Sequence, residues 1–94
     1  MIHIGKYNTE INDDHYIYFC IETDTKGIVV KAGWEDSFNG AIDKFINDYE
    51  SANSRFVDLD TYLKANDYEV TDYTVLVECE ALDQLKQTNP EYFI

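Results

Sequence analysis

Cys20, Cys79, His3 and His15 are the side chains of this sequence best suited to nucleophilic chemistry. A thiol becomes a nucleophile when an imidazole within hydrogen-bond reach takes its proton. His15 and Cys20 cannot meet that condition. Both fall in the run HYIYFCIE, which reads as a strand, and their separation is odd. Successive side chains of a strand point to opposite faces, which keeps the two apart. A pair between His3 and a thiol would need a strand pairing that the sequence does not specify, so both histidines are read as structural. No serine is framed by G-x-S-x-G, so no catalytic residue is assigned and no enzyme is expected. The cysteines lie far apart in apolar contexts, without C-x-x-C or zinc spacing. Two reduced, buried thiols are expected, with a disulfide between paired strands as the alternative.

Metal chemistry has one apparent opening. Asp58-x-Asp60-x-Tyr62-x-Lys64-x-Asn66-x-x-Glu69 places acids where a calcium loop has its first, third and twelfth ligands. The sixth position is Leu63, where such a loop needs glycine to turn, and Tyr62 and Lys64 flank it. A short helix capped by Asp58 accounts for the same acids, so no metal is expected. No glycine-rich loop precedes a helix to cradle a phosphate, so no cofactor is expected either. Paired carboxylates of glycosidase type have no specificity among 19 acids.

The acids recur beside tyrosine. Asn-Asp-Tyr-Glu occurs at 47–50 and again at 66–69, and Thr-Asp-Tyr follows at 71–73. One account is packing: a core-facing tyrosine sits next to a solvated acid, as Tyr49 and Tyr73 would. The other is recognition. Tyrosine offers contact area at low entropy cost, and carboxylates around it present negative charge at intervals. The candidate partner-binding residues are Asp58, Asp60, Tyr62, Asp67, Tyr68, Glu69 and Asp72, opposed within that segment by Lys64 alone. Asp43, Asp48 and Glu50 add a second set.

The whole chain shares this bias. Its 94 residues hold 19 Asp and Glu against 7 Lys and Arg, a net charge of -12 spread from Glu10 to Glu91. Such a field repels nucleic acid and anionic lipid and attracts basic protein surfaces. Direct nucleic-acid binding is therefore not expected. In charge and length the chain resembles small acidic inhibitors: phage-encoded anti-restriction and anti-CRISPR proteins that mimic DNA, and bacterial immunity proteins that plug toxic nucleases. The resemblance implies a non-enzymatic inhibitor whose partner is a basic, nucleic-acid-handling nuclease or effector. The alternative is a generic interaction or assembly domain whose acidity serves solubility only, with contact through an apolar patch such as 92–94. The opening residues lack a basic n-region and a long apolar h-region. No apolar run approaches the roughly 20 residues of a membrane span. A cytoplasmic protein without a membrane partner is expected.

The elements that must position these groups can be read from periodicity. Ile2–Tyr7 alternates and reads as an edge strand, pairing within the chain or with a second copy, which leaves a homodimer open. Asn8–Asp14 reads as a loop. His15–Glu22 reads as a central strand, with His15, Ile17, Phe19 and Ile21 on one face. Thr23–Gly27 is a hairpin turn into a partner strand, Gly27–Gly33. Trp34–Ser37 opens the main helix, capped by Asp36 or Ser37. Its stripe is Phe38, Ala41, Ile42, Phe45, Ile46 and Tyr49. Ser51–Arg55 reads as a loop. Asp58–Asn66 holds a short helix with Leu59, Tyr62 and Leu63 inward. Tyr68–Glu80 is a strand with Tyr73, Val75, Val77 and Cys79 on one face. A last helix spans Ala81–Gln87, and the tail after Pro90 must dock. The order β-β-β-α-(α)-β-α gives one α+β domain over 1–94, with an antiparallel or mixed sheet of about four strands.

Overall fold

The computed structural model describes residues 1–8, 16–51, 57–66 and 72–93. In chain order the elements are β1 (Ile2–Asn8), β2 (Tyr16–Thr23), β3 (Val29–Glu35), α1 (Phe38–Asn47), β4 (Glu50–Ser51), α2 (Leu59–Asn66), β5 (Tyr73–Cys79), α3 (Leu82–Thr88) and a closing 3-10 turn (Pro90–Phe93). Among these residues the sheet has five strands in the order β4-β3-β2-β1-β5, every neighbouring pair antiparallel. The α+β class holds for this small single domain, with one strand more than expected. The extra strand is β4, where Glu50 and Ser51 pair with Ala32 and Lys31 of β3. Two residues carry no periodicity, so the sequence reads the second of them as the start of a loop. The rest of that loop, the loop beyond Asn8, His15 and the strand residues Tyr68–Val70 lie outside the described residues.

The β2–β3 hairpin forms for local reasons. Asp24 Oδ1 accepts the N–H groups of Lys26 at 2.9 Å and Ile28 at 3.0 Å. Gly27 takes φ 81°, a left-handed value that glycine adopts at no steric cost. Trp34 and Glu35 continue β3 opposite Phe19 and Tyr18, rather than opening the helix. The reading of Ile2–Tyr7 as an edge strand is corrected: β1 lies between β2 and β5 and pairs with both. Both backbone edges of β1 are occupied, by β2 from Ile2 to Asn8 and by β5 from Ile2 to Tyr7, and which strands meet is not encoded in the alternation of Ile2–Tyr7 itself. Its side chains are covered on both faces as well, Ile2 and Ile4 on one and Tyr7 on the other.

Two cores result, one on each face of the sheet. On the α2 side Tyr7, Phe19, Ile21, Val29 and Ala32 pack against Tyr62 and Leu63. On the α1 side Ile2, Ile4, Cys20 and Cys79 pack against Ile42, Phe45 and Leu85. The β5 register shifts between Ile4–Val77 and Gly5–Val75, which leaves Leu76 outside the β1 ladder. Tyr73 and Val75 therefore join the α2-side core, whereas Val77 and Cys79 join the α1 side. This corrects the expectation that all four share one face. Even spacing means one face only in an unbroken strand, and an inserted residue inverts it. Cys20 pairs with Ile4, and Cys79 with Ile2. With β1 between them the two thiols are separated by two strand spacings, about 10 Å, beyond disulfide reach. Both are free and buried.

Helix α1 is capped by Ser37, whose Oγ accepts the Gly40 N–H at 3.1 Å. It buries Ala41, Ile42 and Phe45. The helix lies so close that a Cβ on Gly33 of β3 would collide with the backbone of Phe45 and Ala41. Ile46 and Tyr49 depart from the expected stripe, at 44% and 50% exposure. The helix ends at Asn47, so Tyr49 leaves the 3.6-residue period and does not complete its inner face. The tail does dock. Tyr92 stacks on Phe38 with centroids 4.7 Å apart and an 18° interplanar angle, and Phe93 packs on the α1-side core.

Candidate partner-binding face

The β2–β3 turn, the start of β1 and the start of α2 surround an open concavity of about 820 Å³. Asp24, Asp58, Asp60 and Glu80 line it, with no Lys or Arg among its lining residues. Backbone geometry fixes two of these carboxylates. Asp24 is held by the turn, and its pKa is lowered by the Ile28 and Lys26 N–H groups. Asp58 caps α2: its Oδ1 accepts the Thr61 N–H at 2.8 Å, and this bond lowers its pKa. A bridge between Ile28 and Asp58, with the Val29 N–H donating to the Val57 carbonyl at 3.0 Å, ties the two segments together. Asp60 meets Lys64 one turn on, at 3.3 Å. Both partners are exposed, so that pair holds little energy.

His3 also lines the concavity. Its Nδ1 lies 3.1 Å from Glu78 Oε1 and its Nε2 2.9 Å from Thr23 Oγ1. The ring thus bridges the Glu78 carboxylate and the Thr23 hydroxyl, which itself donates to the Met1 carbonyl at 3.4 Å. Carboxylate, imidazole and hydroxyl stand in the order of an activated nucleophile. Thr23, however, is only 5% exposed. The row works as a cross-link of β1, β2 and β5. The thiols lie in the α1-side core and His3 faces the other way, so no Cys–His pair forms. Burial, followed by the charge that Cys79 would carry, pushes the Cys20 thiol up, and burial does the same to Cys79.

The sequence-derived candidates divide between the two faces. Asp58 and Asp60 lie at the concavity, and Asp72 stands at the start of β5 with Tyr73. Burial raises the Tyr73 pKa first, followed by the negative charges of Asp60 and Asp58. Tyr62 is an inward residue, 7% exposed, whose hydroxyl donates to Glu50 Oε2 at 3.0 Å. Burial and then Glu50 push its pKa up to about 12. It positions the carboxylate of Glu50 and offers no free ring. Asp43 and Asp48 belong to the α1 side, where Asp43 accepts the Asn47 amide at 2.8 Å. Asp67, Tyr68 and Glu69 lie outside the described residues. Asp24, Glu80, His3 and Glu78 are the residues that sequence reasoning missed as one group. Only strand register brings them together, and Asp24 carried a turn signal alone.

Among the described residues no group of three or more His, Cys, Asp or Glu is arranged to hold a metal ion. Nor is any of their helices long and apolar enough to cross a membrane. No protein-family model matches the chain, and neither does any curated protein or solved structure compared with it.

Proposed function

We propose that the chain is a non-enzymatic, cytoplasmic inhibitor that occupies a basic, nucleic-acid-handling surface of a partner protein, in the manner of a DNA mimic or a nuclease immunity protein. The observation that carries this reading is the concavity lined by Asp24, Asp58, Asp60 and Glu80 without a lysine or arginine. Two of those carboxylates are locked by backbone N–H groups. The Met1 ammonium, which donates to the Thr23 carbonyl at 2.7 Å, also lines the concavity, so its four carboxylates leave a surface of net negative charge. A net acidic surface with fixed carboxylates steers an opposite surface toward it and needs little reorganisation on contact. The rival, an assembly domain meeting its partner through the apolar tail, is less favoured because Tyr92 and Phe93 already pack on their own core.

The test is a tagged capture from nuclease-treated host lysate, eluted in salt steps and read by mass spectrometry. The expected result is a basic nuclease or nucleic-acid-binding protein released at moderate salt. Its association with the purified chain slows about ten-fold when Asp58 and Asp60 are both changed to Lys. A partner retained without change at about 0.5 M salt, where exposed charges are screened, would overturn the reading.

A further inference from the structure

The two edges of the sheet are built differently. Among the described residues the β4 edge is two residues long, Glu50 and Ser51. Short, charged edge strands are a common protection against pairing with other chains. The opposite edge, β5, is seven residues long. It pairs with β1 on its inner side, and among the described residues no strand pairs with its outer side. Its exposed residues are Thr74, Leu76 and Glu78, and Leu76 at the centre is 40% exposed. Carboxylates stand along the strand and at both ends, at Asp72, Glu78 and Glu80, with no basic residue from 72 to 80.

We propose that β5 receives an extended basic segment of the partner as a sixth strand, an inference that rests on the charge reading above. Strand addition draws affinity from main-chain hydrogen bonds and selectivity from alternate side chains. A second copy of the chain is a poor occupant. Antiparallel self-pairing centred on Leu76 puts Asp72 opposite Glu80, and like charges directly opposite are destabilising. Each copy also brings a net charge of -12. A segment with Lys or Arg near Asp72, Glu78 and Glu80, and an apolar residue against Leu76, meets every one of these features. The bulge at Leu76 adds local twist, which discourages indiscriminate pairing and raises the weight of these side-chain contacts.

The experiment is an NMR titration of the 15N-labelled full chain with a capped peptide of alternating Lys and Val, matched in length to β5. A second titration uses the same peptide with proline at its centre. The expected result is that the largest amide shifts fall in Tyr73–Cys79. The proline peptide, which cannot complete the ladder, binds about ten-fold more weakly. Leu76→Lys weakens the first peptide without altering the fold. Equal binding of both peptides, with shifts centred on Asp24, Asp58 and Asp60, overturns strand addition while leaving the charge reading in place. Absence of binding by either peptide also overturns strand addition, and the salt-step capture then decides the charge reading separately.

Discussion

The two faces of the sheet carry the same kind of core but opposite treatments of charge. On the α1 side the lysines are anchored locally. Lys31 lies 4.4 Å from the ring centres of both Phe45 and Tyr49, Lys86 lies 5.3 Å from that of Phe93, and Lys44 approaches Glu35 at 3.7 Å. Asp43 is bonded to Asn47. On this face the lysines are held in place by rings, which attract a cation without removing its charge, and only Lys44 has a carboxylate beside it. On the α2 side Asp24 and Asp58 are paired with backbone N–H groups. Those bonds hold the carboxylates in place without cancelling their charge, and Lys64 beside Asp60 is the only lysine of α2. Lys26 and the Met1 ammonium also stand near Asp24, so the α2 side holds cations of its own, and the difference between the faces lies in how their carboxylates are held.

The sharpest way to break the comparison is to empty one core. Phe19 is wholly buried in the α2-side core, its ring edge-to-face with Tyr73 and lying over Gly5. Phe19→Ala removes a large ring from a site that cannot collapse around β1. It is expected to cost about 3–5 kcal/mol in urea unfolding. Leu85→Ala is its counterpart on the α1 side, at a helix position near the tail, and about 2–3 kcal/mol is expected there because the tail can settle inward. If both variants unfold in one transition with unchanged denaturant slope, the two layers are one cooperative unit. A biphasic curve for Phe19→Ala alone would mean that the charged layer can open while the other stays folded.

A gentler probe is Tyr62, which joins the α2-side core to Glu50 at the sheet edge. Its phenol is raised from 10.0 to about 12 by burial and by Glu50. The neutral form is the one the fold prefers, so this stabilisation is complete below pH 10 and is lost as pH rises toward 12. Tyr62→Phe is expected to cost about 1 kcal/mol at neutral pH by removing a partly buried hydrogen bond. It should also remove this residue's share of the alkaline loss, read as a flatter melting temperature between those pH values. An unchanged alkaline limb would assign the loss to other groups.

These tests bear on why some of the fold was legible in the sequence. Ser37, Asp58 and the Asp24–Gly27 turn act on neighbours within a few residues, so the residue types alone report them. The inward face of α2 is equally local, since Leu59, Tyr62 and Leu63 follow a helical period. The place of β1 between two strands, the pairing of β4 and the inversion at Leu76 depend on which strands meet and in what register. No local pattern encodes that information. The candidate site divides in the same way. Asp58 and Asp60 were readable from their own segment, whereas Asp24 and Glu80 join them only through the bridge at Ile28 and the pairing of β5 with β1.

The smallest expected effect sharpens the comparison from the quiet side. Lys44→Ala removes the partner of Glu35, but both side chains are substantially exposed, at 45% and 39%. An exposed pair at 3.7 Å exchanges a weak attraction for the entropy of two long side chains. Thermal unfolding is expected to change by less than about 0.5 kcal/mol. The same substitution adds one unit of negative charge, so general attraction of a basic partner would make it associate slightly faster. If only the α2-side field steers the partner, the association rate should not change within error, because the site of substitution lies across the sheet from the concavity and is screened over that distance. A clear acceleration would mean that net charge, rather than its placement on one face, governs the encounter.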